Sequence, residues 1–166
     1  MLEIREFTSA DTPGVVSVIL PIQQDEFGIP ITLEAQPDLG DIAGFYRRGN
    51  GNFWVACVKG RIVGTIGLLD LGNNQAALRK MFVTREFRGS SHGVAQNLLD
   101  TLLACSAARA IEEIFLGTTE KFRAAHRFYE KNHFIEIPKS RLPPNFSFMA
   151  VDSKFYRRAV TQASPE

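Results

Sequence analysis

The sequence predicts one domain of the mixed α/β class (an α+β arrangement around one mixed sheet), with elements in the order β-α-α-β-β-β-α-β-α-β-β. Three stretches carry that prediction. Phe53-Trp54-Val55-Ala56-Cys57-Val58 and Arg61 to Leu69 are apolar runs joined by Lys59-Gly60, the mark of a hairpin with a two-residue turn. Met81 to Leu99 reads MFVTREFRGSSHGVAQNLL: an apolar strand end, a polar loop bearing glycines, then a helical pattern. Ile111 to Gly117 (IEEIFLG) is a further strand, followed by a helical stretch from Glu120 to His133.

The remaining elements follow from the order of residues. Leu2 to Phe7 alternates apolar and charged side chains, as a half-buried first strand does. Ser9 or Asp11 supplies a cap for a helix from Thr12, and Pro13 suits its first turn. Val15, Val16, Val18, Ile19 and Ile22 form its apolar side, and Pro21 is expected to kink it or end its first segment. Gln23 to Gly28 leads into a proline-punctuated loop, Ile29 to Pro37. A second helix is predicted from Asp38 to Arg48, with Leu39, Ile42 and Phe45 at helical spacing, stopping at Gly49-Asn50-Gly51. After the hairpin, a turn at Leu71-Gly72-Asn73-Asn74 feeds a third antiparallel strand, Gln75 to Val83. The helix opening at Val94 puts Val94, Leu98, Leu102 and Cys105 on one face and ends near Arg109. Thr118 or Thr119 caps the next helix. Phe134 to Ile137 is a short strand, Pro138 to Pro144 a proline-rich connection, and the last strand is expected from Phe146 to Tyr156. The domain is therefore drawn as residues 1–156, with a polar, frayed tail at 157–166.

Composition narrows the function classes. At 166 residues the chain is long enough to bury one substantial core. A net charge of +1 gives no general attraction to nucleic acid or to a membrane surface, so neither is expected as a partner. Met1-Leu2-Glu3-Ile4 alternates like a strand rather than opening a leader, and no apolar run approaches the ~18 residues that span a bilayer. Cys57 and Cys105 each sit inside an apolar element and read as free thiols of a reducing compartment. The expectation is a cytoplasmic protein.

The strand–loop–helix stretch is where chemistry is expected. At a helix start the first N–H groups have no internal partner, the helix dipole adds partial positive charge, and glycines let an anion approach the backbone. Arg88-Gly89-Ser90-Ser91-His92-Gly93 before Val94 is such an arrangement, and it reads as a diphosphate cradle. It lacks the GxxxxGK[ST] and GxGxxG patterns of nucleotide loops.

The element order and two motifs resemble the GNAT superfamily of acyl-CoA-dependent N-acyltransferases, over nearly the whole chain from Leu2 to Tyr156. One motif is the cradle, where the family has a strand ending in Val, Arg/Gln-x-x-Gly-x-Gly/Ala, and a helix. The other is Ala124-Ala125-His126-Arg127-Phe128-Tyr129-Glu130-Lys131-Asn132-His133-Phe134, which is similar to the family's Ala-x-x-x-Tyr-Glu-Lys-x-Gly-Phe. Three departures stand out. Both flanks of the cradle align only if its loop is two residues longer, around Ser90-Ser91-His92. Phe122 stands where the family often has Asn. His133 stands where it has Gly, a costly occupant if that position needs a positive φ.

The resemblance implies a single-domain GNAT-like fold and an N-acetyltransferase that moves an acetyl group from acetyl-CoA to a primary amine of a small metabolite by direct attack. It implies a diphosphate held by backbone from Arg88 through Gly89, Ser90, Ser91, His92, Gly93 and Val94 to Ala95. The pantetheine arm would lie along Met81, Phe82 and Val83, with Phe122 nearby. Tyr129 is implied as the general acid to the departing thiolate. Glu26, His92 and His126 are candidate bases, and a water chain would serve too. Glu26 lies where the superfamily builds acceptor specificity, and Arg79-Lys80 face either a substrate carboxylate or simply solvent from an exposed sheet face. His126 and His133, seven apart, lack carboxylate or thiol partners, and no metal is expected. The alternatives are an acyl-CoA-binding regulatory module without turnover and a protein or peptide N-acetyltransferase. The lack of a strong charge imbalance argues against a histone-tail or polyamine acceptor. Arg141-Leu142-Pro143-Pro144 and the last strand offer an edge for a homodimer.

Overall fold

The hairpin turns set the antiparallel half of the sheet. Lys59 and Gly60 have φ of 52° and 77°, and Asn73 and Asn74 have 54° and 59°, so both turns use the left-handed backbone region and their twist matches the right-handed twist of the paired strands. The computed structural model describes residues 1–161. In chain order it contains β1 (Leu2–Glu6), α1 (Thr12–Pro21), α2 (Pro37–Gly40), α3 (Ile42–Tyr46), β2 (Asn52–Val58), β3 (Arg61–Gly72), β4 (Gln75–Val83), α4 (Val94–Ala108), β5 (Glu113–Thr118), α5 (Arg123–Lys131), β6 (Ile135–Ile137) and β7 (Lys154–Ala159). Among the described residues seven strands form one sheet, in the order β1-β2-β3-β4-β5-β7-β6.

Alternation along β2 divides the core into two layers. Trp54 and Ala56 pack with Leu98, Leu99 and Leu102 of α4 and with Tyr129 of α5 on one face. Phe53, Val55 and Cys57 point the other way, onto Val15 and Ile19 of α1 and Leu39, Ile42 and Tyr46 of α2 and α3. At Gly64 a Cβ would lie 3.0 Å from both Leu98 Cδ1 and Val94 Cγ1, so the missing side chain lets α4 sit close on β3.

Two irregularities position the site. β4 and β5 are parallel and pair only from Gln75–Ala77 to Glu113–Phe115, after which they part. On its other side β4 carries a bulge: Thr65 pairs with Phe82 and Gly67 with Arg79, leaving Lys80 and Met81 opposite one residue of β3. Lys80 takes a φ of 52° there, and the buried Thr65 hydroxyl donates to its carbonyl at 2.7 Å.

The structure differs from the sequence reading at three places and agrees with it at Pro21. The expected helix 38–48 is two short helices, because the Asp41 side chain accepts the Gly44 N–H at 3.0 Å and starts a new turn. Pro21 does end α1, which continues as a π-helical turn, Ile22–Glu26. Neither threonine is the cap of α5; Phe122 occupies that position. The last strand begins at Lys154 rather than Phe146, since its length is set by pairing along the whole of β5, from Thr118–Lys154 to Glu113–Ala159.

That shift moves the domain edge as well. Arg157 lies in the sheet and its Nε donates to Glu113 at 2.5 Å, so the tail does not start there; residues 162–166 of the expected tail lie outside the described residues. β7 is interior, between β5 and β6, so the free edge on that side is β6 and not the last strand. Cys57 and Cys105 are free thiols, the first buried and the second half-buried. Among the described residues no helix is long and apolar enough to cross a membrane.

Candidate active site

Where β4 and β5 part, a cavity of about 850 Å³ opens. One end reaches the loop before α4 and that helix's first turn. The middle runs between Met81–Val83 and α5. The other end is closed by the π-helical turn after α1, by Ile29 and Ile31, and by the connection ahead of β7.

At the first end, Gly93 adopts a left-handed φ of 69° and its carbonyl accepts from both the N–H and the side chain of Asn97, at 3.0 and 2.7 Å. Among the described residues, the N–H groups of Gly89, Ser90, Ser91, Gly93, Val94 and Ala95 donate to no protein partner. Past Ala77, β4 has no strand on its β5 side. Unclaimed donors at a helix start suit a diphosphate, and a free strand edge suits the amides of a pantetheine arm; the residues present fit coenzyme A. Arg88, Gly89, Ser90, Gly93 and Ala95 line the cavity with Met81, Phe82, Val83 and Phe122. Three expected cradle residues do not line it. Val94 is buried against the core, Ser91 is exposed, and His92 is exposed with its ring 5.6 Å from that of Phe87.

Arg88 is not a free cation beside the cradle. Its Nε donates to the Val83 carbonyl at 2.8 Å, and both terminal nitrogens bind the Glu26 carboxylate. Arg85 lies 3.5 Å from the same carboxylate. A half-buried carboxylate takes a bidentate guanidinium in preference to sharing it with a mobile anion. The pairing also holds Glu26 below the usual carboxylate range and so makes it a weaker base. The Arg88 guanidinium and the Glu26 carboxylate are thus engaged with each other at the mouth of the cradle.

Tyr129 lies in the middle of the cavity wall, buried among the rings of Phe128, Phe134 and Tyr156. Its phenol oxygen has no hydrogen-bond partner among the described residues, and burial pushes its pKa up, so it stays protonated. His126 does not reach the cavity. Its Nε2 lies 2.9 Å from the Thr119 carbonyl, which can only accept, so that nitrogen carries the hydrogen and is spent on the turn before α5. This corrects its expected role as base or substrate contact. Phe122 meets Phe27 and Phe82 edge-on, with centroids 4.7 and 6.0 Å apart.

The far end is polar beneath an apolar rim. Arg79 and Lys80 line it, and neither is on an exposed face: Lys80 is 7% exposed. Asp38, 2% exposed, accepts the Tyr46 hydroxyl at 2.6 Å and lies 3.4 Å from Lys80 Nζ and 3.9 Å from Arg79. Burial lowers the Lys80 amine and raises the Tyr46 phenol. Arg79 also sits over the Phe45 ring, 5.6 Å from its centroid.

Asp152 lines the same end and was not singled out from the sequence, where it fell inside the predicted last strand. An acid following Met149-Ala150-Val151 was the available signal. No group of three or more His, Cys, Asp or Glu among the described residues is placed to hold a metal.

Comparison with known proteins fits this geometry. Residues 17–134 match the family model described as Acetyltransferase (GNAT) family. An acetyltransferase of GNAT family from Staphylococcus aureus Mu50 superposes with a TM-score of 0.93 at 38% identity, over 97% of this chain and 100% of that one. The N-acetylaspartate synthetase of Xenopus tropicalis is 30% identical over 126 residues, which are 72% of this chain and 45% of that protein. The N-acetylglutamate synthase of Neisseria gonorrhoeae, crystallised with coenzyme A and N-acetyl-glutamate, shares the fold at a TM-score of 0.73 and 14% identity, over 98% of this chain and 36% of that one. This chain spans between about a third and a half of the length of the curated vertebrate relatives it matches.

Proposed function

Because this chain belongs to the GNAT family of acetyltransferases, whose acyl donor is acetyl-CoA, we propose that it acetylates a primary amine of a small metabolite by direct attack, with Tyr129 as general acid. The single observation that carries the reading is Tyr129, a buried side chain whose protonated hydroxyl has no hydrogen-bond partner among the described residues, on the wall of the cavity where the two parallel strands part. Burial keeps the Tyr129 phenol protonated, so the proton is in place for the departing thiolate, which the same burial makes more basic than a free thiolate of pKa ~8.5.

The other parts have assignable tasks. Gly89, Ser90, Gly93 and Ala95 offer main-chain donors for the diphosphate. An N–H on the free edge of β4 holds the thioester oxygen as negative charge develops on it. Phe27, Phe82 and Phe122 exclude water from the middle of the channel. A cavity of about 850 Å³ suits a small acceptor. Arg79 and Lys80 at its far end suit one that carries a carboxylate, and the relative named for N-acetylaspartate supports an amino-acid acceptor.

Thermal unfolding with acetyl-CoA, CoA and ATP in parallel tests the reading. A ligand at ~100 times its Kd stabilises by ~2.7 kcal/mol, a visible shift. Both CoA species are expected to raise the midpoint and ATP is not; an amine panel with thiol detection is then expected to show acetyl-CoA-dependent thiol release. A CoA shift without thiol release on any amine would leave a binding module in place of an enzyme.

A further inference from the structure

An amine reaches such a site as an ammonium ion and must lose a proton before its lone pair can attack. Among the residues lining the cavity, Asp152 is the one that carries a carboxylate or imidazole. The three bases suggested by the sequence are otherwise engaged or outside it: Glu26 by Arg88, His126 by the Thr119 carbonyl, His92 on the exterior.

The chain builds a fixed seat for Asp152. The Ser153 N–H donates to the Thr118 carbonyl at 2.9 Å and clips the segment to the end of β5. The Met149 N–H donates to Asp152 Oδ2 at 2.9 Å, which leaves Oδ1 without a hydrogen bond among the described residues. Gly117 makes the room, since a Cβ there would meet Oδ2 at 2.9 Å. Arg79 and Lys80 face Asp152 from β4, with Asp38 behind them on α2; Tyr129 lines the same cavity from α5; β5 presents the uncharged Leu116, Gly117 and Thr118.

We propose that Asp152 is the general base that takes the proton from the acceptor ammonium. The inference rests on the transferase reading above. The N–H bond breaks to Oδ1, and the freed lone pair forms the C–N bond at the thioester carbon. As the C–S bond breaks, Tyr129 protonates the leaving sulfur, and the surplus proton of the new amide nitrogen restores Tyr129. The proton on Asp152 passes to solvent, so one ammonium and one thioester give one amide, one thiol and one proton. Burial raises this carboxyl towards the working range of a base, while Arg79 and Lys80 pull it down.

The test uses the full chain and the fastest acceptor from a panel of amino acids and simple amines. Asp152→Asn is expected to lower kcat/KM at neutral pH on the order of 10²–10⁴-fold, with the loss shrinking as pH rises toward the amine's own pKa. Aminooxyacetate, whose amine is already neutral at pH 7, should show a much smaller loss. Asp152→Glu should recover part of the rate, and Lys80→Met should move the acid limb to higher pH, because removing a neighbouring cation raises the carboxyl's pKa. The midpoint shift with acetyl-CoA must match that of the native chain in each variant. An Asn variant that keeps both rate and acid limb overturns the assignment of Asp152 alone. An Asn variant that no longer folds leaves the Glu and Lys80→Met limbs to decide, and unmoved limbs overturn it as well. No thiol release on any amine, with the CoA shift intact, overturns the transferase reading and this inference together.

Discussion

The Tyr129 carbonyl accepts the Phe134 N–H at 3.0 Å, and the two rings meet edge-on with centroids 5.5 Å apart. The His133 N–H donates to the Glu130 carbonyl at 3.2 Å, completing a helix end in which two carbonyls are satisfied and an apolar residue folds back on the last turn. This helix end holds the proposed acid: Phe134 packs against Tyr129 because the chain reverses sharply at His133. The reversal requires His133 to take a φ of 71°, a conformation that suits glycine.

His133→Gly therefore tests a strain visible in both sequence and structure. The side chain is exposed, so removing it forfeits little packing. Relief of the left-handed backbone outweighs the greater freedom of glycine in the unfolded chain, and the net gain is expected at about 0.5–1 kcal/mol. For a domain of this size that is a midpoint higher by roughly 1–4 °C. Calorimetry decides it, and a lower midpoint would show that the imidazole contributes more than its conformation costs.

Tyr129→Phe separates chemistry from packing. The hydroxyl has no hydrogen-bond partner among the described residues, so its removal orphans no protein group and stability should change by less than about 0.5 kcal/mol. If the phenol is the acid, kcat falls on the order of 10²–10⁴-fold while the midpoint shift with acetyl-CoA is unchanged. Steady-state thiol release beside a melting curve reads both, and undiminished turnover would remove Tyr129 from the mechanism.

Local signals made most of the fold legible. The two-residue turns at Lys59-Gly60 and Asn73-Asn74 left little choice of register, and the apolar run Phe53 to Val58 marked a buried strand. The wall carrying Tyr129 was legible too, because the motif that names it is contiguous. What sequence order hid was partnership at a distance. Arg88 and Glu26 lie 62 residues apart, and nothing in either neighbourhood says that the cation of one loop is consumed by the acid of another. Asp38 read as a helix start, and Lys80 as facing either a substrate carboxylate or solvent; the bulge that turns Lys80 inward shows only in the pairing of β3 with β4. Residues 146–153 read as strand from their apolar content, and so concealed Asp152.

Acid should weaken the junction between β1 and α1. Two nitrogens of Arg5 bind Asp11 at 2.7 and 2.8 Å, and the Thr8 N–H donates to the same carboxylate at 2.8 Å, lowering its pKa from 3.8 to about 2. A pKa lowered by folding adds stability that is fully present above the unfolded value and is lost as pH falls through the folded one. Asp11→Asn should thus cost about 1–2 kcal/mol at pH 7, a figure discounted because Arg5 is partly exposed, and nearly nothing at pH 2. Denaturation at several pH values between 2 and 7 gives the curve, and a pH-independent cost would assign the effect to capping alone.

The buried pair of Asp38 and Lys80 should show strong coupling. Asp38→Asn leaves Lys80 Nζ, 3.4 Å away, without its ion-pair partner, with the Met149 sulfur 4.0 Å off and the more distant Asp152 carboxylate as the remaining anion facing it. Removing one partner of a buried ion pair costs about 3–5 kcal/mol, and the distant Asp152 places this loss toward the lower end. Lys80→Met should cost less, since Asp38 keeps the Tyr46 hydroxyl at 2.6 Å and Arg79 at 3.9 Å. In the double variant no ammonium remains to be stranded, so the two losses should fall short of additivity by about 0.5–3 kcal/mol. Urea midpoints at constant m for the four proteins complete the cycle. Additive losses would mean that Lys80 sheds its proton once Asp38 is gone, as the downward push of burial on its amine allows, and in that case the loss for Asp38→Asn should itself shrink as pH rises.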